Sequence, residues 1–167
     1  PLWPGRDTSV VPSSQRPQAK TAPNRFSTSP NGDPVPDQSL IQAARKLRPL
    51  IESQADETER QCTMTSPVVE AIESTGLFRL SIPKEIGGLE ANVDTIMAVC
   101  EAISFADGAT GWAFTQNTIT GSYLAYIDPA NAKPFAAMRA GAGHFAPLGV
   151  AHEEDGGFRV SGNWQFA

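Results

Sequence analysis

Fourteen residues, Gly76-Leu77-Phe78-Arg79-Leu80-Ser81-Ile82-Pro83-Lys84-Glu85-Ile86-Gly87-Gly88-Leu89, interrupt helical periodicity that runs on both sides of them. No helix can pass through. Gly76 can take the left-handed conformation that closes a helix, Pro83 lacks a backbone donor, and Gly87-Gly88 opens angles closed to residues with a Cβ. Between these breakers Leu77, Phe78, Leu80 and Ile82 are apolar, so the crossing is expected to be pinned against a core instead of looping through solvent. The rest of the chain is arranged around this hub.

Residues 1–36 hold eight of the fourteen prolines, among Ser, Thr, Gln and Asn, with no apolar period. Such a segment buries too little to offset its ordering entropy, and a disordered leader or non-native extension is favoured over a Pro-rich ligand or transit peptide. From Asp37, a plausible N-cap, Leu40, Ala44, Leu47, Ile51 and Ala55 recur at helical spacing. Pro49 should kink or split that helix. A second helix is expected from a Ser66 cap, with Pro67 at its first position, to Gly76. Beyond the hub, Asn92 can cap a third helix whose apolar face is Val93, Ile96, Met97, Cys100 and Ile103. A fourth, over residues 109–127, puts Trp112, Gln116, Ile119 and Tyr123 on one stripe, and a fifth runs from Asp128-Pro129 to about Arg139.

After Gly141 the period changes to that of a strand with one buried face. Phe158, Val160, Gly162, Trp164 and Phe166 alternate with polar residues, and residues 145–151 can pair with them across a turn at residues 153–157 that contains Asp155-Gly156. The fold class is therefore α+β. A Pro-rich leader (1–36) precedes an all-α domain (37–140) and the opening strands of a β domain (141–167). Position 1 is not Met and the final residues read as mid-strand, so the chain is expected to be a piece of a longer protein.

A net charge of −5 and no basic block argue against nucleic acid and anionic membranes, and leave a small molecule as the expected partner. Cys62 and Cys100 are too few for a disulfide framework. With no membrane-length apolar run and no secretory signal, the cytoplasm is the default location. Glycine-rich phosphate loops, Cys-x-x-Cys, His-Glu-x-x-His and Gly-x-Ser-x-Gly are all missing, and a metal site is not expected. His152 reads as a solvated surface residue. His144 precedes the apolar stretch Phe145-Ala146-Pro147-Leu148-Gly149 and needs a specific partner, structural or functional. Thr115-Gln116-Asn117-Thr118 and Thr120 interrupt the fourth helix with polar groups. They are either a solvent-facing or interhelical stripe, or the wall of a ligand pocket with Trp112 as a flat contact.

The hub motif and Asp107-Gly108-Ala109-Thr110-Gly111-Trp112 resemble the N-terminal helical domain of the acyl-CoA dehydrogenase superfamily, over about residues 39–167. The resemblance implies an all-α domain, a middle β-barrel domain and a C-terminal four-helix domain around a flavin. The family's Thr-Glu-Pro-x-x-Gly-Ser-Asp and Gly-x-Lys-x-x-Ile-Thr-Asn motifs are missing, whereas Phe145-Ala146-Pro147-Leu148-Gly149 and the stretch from Asp155 to Ala167 resemble the two-component flavin monooxygenase branch. That branch implies reduced FMN or FAD delivered by a separate flavin reductase, a flavin hydroperoxide, hydroxylation of a small and often aromatic substrate, and a homo-oligomer, a tetramer by resemblance. By the same resemblance Phe145, Ala146, Pro147, Trp164, Phe166 and Ala167 would meet the flavin, and Trp112, Gln116, Asn117 and Thr120 would form the substrate pocket. His144 stands where the branch has Ser, as a donor or base, and Thr120 stands where it has His. An acyl-CoA dehydrogenase proper is the enzyme alternative, and a non-enzymatic helical interaction module is the third reading.

Overall fold

The computed structural model describes residues 35–136, 138, 140–143 and 146–164. Most of the expected leader lies outside the described residues. Six helices, α1 (Gln38–Lys46), α2 (Arg48–Gln61), α3 (Ser66–Ser74), α4 (Val93–Ala106), α5 (Gly108–Ser122) and α6 (Pro129–Ala136), precede the strands β1 (Gly149–Glu154) and β2 (Gly157–Gly162). This is the expected order of a helical domain followed by the start of a sheet.

Asp37 caps α1, its carboxylate accepting from the amides of Ser39 at 2.9 Å and Leu40 at 3.4 Å. Its own amide donates to the hydroxyl of Thr95 at 2.7 Å, which ties the start of α1 to α4. Pro49 splits the first helical run in two, because it falls in the first turn of α2, where a missing N–H costs nothing. The cap of α3 is Thr65, not Ser66. Thr65 has extended angles and its carbonyl accepts from the Val69 amide at 3.0 Å, so Ser66 is already helical and Pro67 is its second residue.

The hub opens with Gly76 at φ 76°, continues through single 3₁₀ turns at Leu77–Arg79 and Lys84–Ile86, and closes with Gly87 at φ 87°. Leu77, Phe78 and Leu80 enter the main core beside Ile51, Ile72, Val99, Ile103 and Phe114. Ile82 and Ile86 instead pack with Ala132 and Ala136 of α6. One crossing therefore joins two apolar clusters. Gly88 allows this, since a Cβ there would lie 1.9 Å from the Ile82 carbonyl oxygen. Arg79 clamps the arrangement. Its guanidinium donates to the carbonyls of Gly87 at 2.8 Å and Ile86 at 3.3 Å, and to that of Ala136 at the C-terminal end of α6.

The buried face of α4 is Thr95, Val99 and Ile103, while Val93 and Met97 of the expected apolar face are exposed. Tertiary partners set this rotation. Thr95 faces the amide of Asp37, and α5 approaches so closely that a Cβ on Gly111 would lie 2.3 Å from the Ser104 hydroxyl oxygen. Cys100 is half-buried, and burial raises its thiol pKa despite opposing hydrogen bonds with Thr115 and Thr118. The segment expected over residues 109–127 begins at Gly108 under an Asp107 cap and finishes in a 3₁₀ turn, Tyr123–Tyr126. The fifth helical pattern ends at Ala136, short of Arg139.

The hairpin differs from its expected bounds. β1 is residues 149–154 instead of 145–151, paired antiparallel from Gly149↔Gly162 to Glu154↔Gly157. The two-residue turn is Asp155-Gly156, with Gly156 at φ 86°. The expected buried face is exposed, Phe158 and Val160 included, because no described element packs over it. Within the hairpin, the Trp164 indole lies across the Gly149–Gly162 pair, where added Cβ atoms would come within 2.6 and 2.8 Å of the ring.

Candidate functional site

One face of α5 carries Asn117, Thr120 and Gly121 at i, i+3 and i+4 spacing, and Leu124 in the 3₁₀ turn that follows continues it. Together with Phe78 and Ile82 of the hub, Phe135 and Met138 at the end of α6, and the stretch 140–142, it encloses a cleft of about 330 Å³. None of these lining residues is ionisable. Asn117 is 5 % exposed and both ends of its amide are engaged. The nitrogen donates to the Phe78 carbonyl at 2.9 Å, and the oxygen accepts from the Gly141 amide at 2.9 Å. Thr120 is then the side chain with a polar group left for a ligand among the described lining residues. The backbone passes close to it: a Cβ on Gly141 would lie 3.1 Å from the Thr120 methyl carbon, and one on Gly143 would lie 3.0 Å from its hydroxyl oxygen.

The structure brings Asn117 and Thr120 together in this cleft. Trp112 lies about 140° round α5 from Asn117, at ~100° per residue, and is 62 % exposed on one stripe with Ile119 and Tyr123, while Gln116 is the i−4 neighbour of Thr120 at the edge between the two faces. Of the residues that the resemblance sets against a flavin, Ala146 is half-buried, Pro147 is exposed and Trp164 rests on the paired glycines. His144, Phe145, Phe166 and Ala167 lie outside the described residues. His152 is exposed and pairs with Arg159 across the hairpin. Among the described residues no cluster of three or more His, Cys, Asp or Glu is placed to hold a metal ion, and no helix is long and apolar enough to cross a membrane.

The contributions of Phe78, Ile82, Leu124, Phe135 and Met138 to the cleft were not singled out from the sequence. Phe78 and Ile82 stood out only as apolar hub residues. The repeat of Asn117, Thr120, Gly121 and Leu124 was the available signal for the α5 wall, masked by the more conspicuous aromatic stripe beside it.

The family described as "Acyl-CoA dehydrogenase, N-terminal domain" matches residues 37–128, more than half of the chain and the whole of the hub and α1–α5. The chain belongs to this family. Proteins that the chain is similar to are named as monooxygenases and hydroxylases. An indole-3-acetate monooxygenase of Pseudomonas putida is 29% identical over 113 residues, 66% of this chain and 29% of that protein. The flavin-dependent monooxygenase oxygenase subunit HsaA of Mycobacterium tuberculosis is 26% identical over 136 residues, 78% and 34% of the two chains. The crystal structure of 3-HSA hydroxylase from Rhodococcus sp. RHA1 superposes with a TM-score of 0.65 at 29% identity, covering 74% of this chain and 33% of the other. The chain thus spans about a third of the length of the relatives it matches.

The cleft has apolar walls and no buried charge, glycine backbone approaches it at Gly141, and the exposed ring of Pro147 follows a few residues later.

Proposed function

We propose that this chain supplies the helical body of a reduced-flavin monooxygenase that hydroxylates a small, aromatic substrate. The carrying observation is the cleft between the hub and α5, whose described lining is apolar apart from the engaged amide of Asn117 and the Thr120 hydroxyl and holds no acid or base. A lining of this kind suits chemistry brought by a bound redox group. Bound reduced flavin supplies the two electrons that let O₂ place one oxygen atom on the substrate and the other in water. Phe78, Ile82 and Leu124 give the cleft its apolar floor, and Thr120 orients a substrate oxygen or nitrogen by hydrogen bonding. Pro147 and Trp164, with Ala146, would offer the flavin an apolar edge. Trp112 would face the substrate only from the adjoining stripe and Gln116 only from its edge, and His144 would donate a hydrogen bond at the reacting end. Phe145, Phe166 and Ala167 are proposed as further flavin neighbours. A flavin reductase is the expected partner, in a cytoplasmic homo-oligomer using FMN or FAD.

The relatives named as monooxygenase and oxygenase subunit support this reading. Its test uses the protein that carries this chain, a flavin reductase with NADH, and indole-3-acetate as probe substrate. Oxygen uptake that depends on the reductase, with a hydroxylated product, is expected. His144→Ala should lower product formation ~10²-fold or more while flavin binding persists. Oxidation of acyl-CoA thioesters with tightly held FAD and no reductase would overturn it in favour of the dehydrogenase reading.

A further inference from the structure

Asn117 is the buried polar side chain whose two functional atoms are spent on backbone groups from two different segments. Its nitrogen holds the Phe78 carbonyl in the hub and its oxygen holds the Gly141 amide beyond α6. These partners are separated from it by 39 and 24 residues, so neither bond serves α5 itself. One turn later on the same face, Thr120 meets the backbone of Gly141 and Gly143. Gly141 lies outside regular secondary structure, and nothing in a helix or sheet ladder fixes its amide. Without Asn117 the buried Phe78 carbonyl would be left unpaired, at a desolvation cost, and the amide of the exposed Gly141 would lose its protein acceptor and the tether to α5.

We infer that Asn117 is a positioning residue, which locks residues 141–143 onto Thr120 and so fixes the backbone wall that Gly141 and Ala142 present to a ligand in the cleft. Its amide is already satisfied, so it has no hydrogen-bonding group left to offer a ligand. Arg79 likewise holds the Ala136 carbonyl, so Ala136 and Gly141 are each tied to a polar side chain rooted in the hub or α5. In catalytic terms this rests on the monooxygenase reading. There, a misplaced 141–143 stretch would loosen the closure around the reacting atoms, and reduced flavin and O₂ would yield H₂O₂ and oxidised flavin in place of hydroxylated product and water.

The test compares Asn117→Leu, similar in size and without polar atoms, with Val99→Ala, a core change away from the clasp, in the protein that carries this chain. Amide hydrogen exchange and the ratio of indole-3-acetate product to O₂ consumed are measured in each. Asn117→Leu is expected to lose ~10-fold or more of the exchange protection at Gly141 and to lower the product-to-oxygen ratio ~5-fold. Val99→Ala should lower the melting temperature with both quantities unchanged. The inference is overturned if Asn117→Leu keeps the wild-type ratio and protection, or if Val99→Ala loses both equally, which would mark a general stability effect. Should the wild-type protein give no product, the monooxygenase reading fails. Protection at Gly141 lost in Asn117→Leu and kept in Val99→Ala would still uphold the clasp. If Asn117→Leu does not fold, wild-type exchange decides: Gly141 is expected to exchange ~10-fold more slowly than residues 142 and 143, and equal rates overturn the inference.

Discussion

Asp37 joins two roles in one residue, since its carboxylate caps α1 while its amide reaches Thr95 on α4. The bond from the Ser39 hydroxyl chiefly, with the amides of Ser39 and Leu40, holds this carboxyl below its usual pKa. A carboxyl depressed by folding stabilises the fold when ionised. Its contribution is therefore full above the ordinary carboxylate range near pH ~4, and is lost as the pH falls through the lowered pKa. Asp37→Ala should cost about 1 kcal/mol in urea melts at pH 7, and the difference from wild type should shrink on acidification below that range. A loss that stays constant into acid would show that the side chain's charge is irrelevant to the cap. The cap was legible from the sequence because Asp-x-Ser after Pro36 is a local signal. The reach to Thr95, 58 residues away, was not, because no local pattern encodes it.

Among the elements, the hub was the most legible and α4 the least. Breakers at Gly76, Pro83 and Gly87-Gly88 with apolar residues between them required a crossing pressed on a core, and Phe78 lies against Phe114 with ring centroids 6.2 Å apart. Phe78→Ala should therefore cost about 3–5 kcal/mol, enough to unfold a domain of ordinary stability, as read by loss of helical circular dichroism near room temperature. A melting point within a degree or two of wild type would show that the ring is dispensable. In α4 the sequence offered more apolar positions than one face can bury. Val93 and Met97 lost to Val99 and to a threonine, because Thr95 had a hydrogen-bond partner waiting on α1. The site was partly legible for the same reason. Asn117 and Thr120 announced themselves as polar residues in an apolar helix, but which backbone groups Asn117 holds depends on how α6 returns to the hub, and Trp112 drew attention to the neighbouring stripe.

For the whole molecule, the helical body and the hairpin are unequal. The body has the two apolar clusters, whereas every residue from Val150 to Trp164 is exposed. Truncation after Leu148 should thus leave the melting temperature within about 4 °C of the parent, the shift that ~1 kcal/mol makes in a domain of this size. A larger drop would mean that the hairpin supports the body in a way its exposure conceals. The same hairpin has a bearing on how the chain behaves in the tube. Each of its strands has only the other as a sheet neighbour among the described residues, so two rows of backbone N–H and C=O groups face outward beside the bare Phe158 and Val160. Such edges are templates for adding strands from other copies. Association between copies at high concentration is accordingly expected to start at the hairpin, and a lysine on the outward edge of β2 should weaken it.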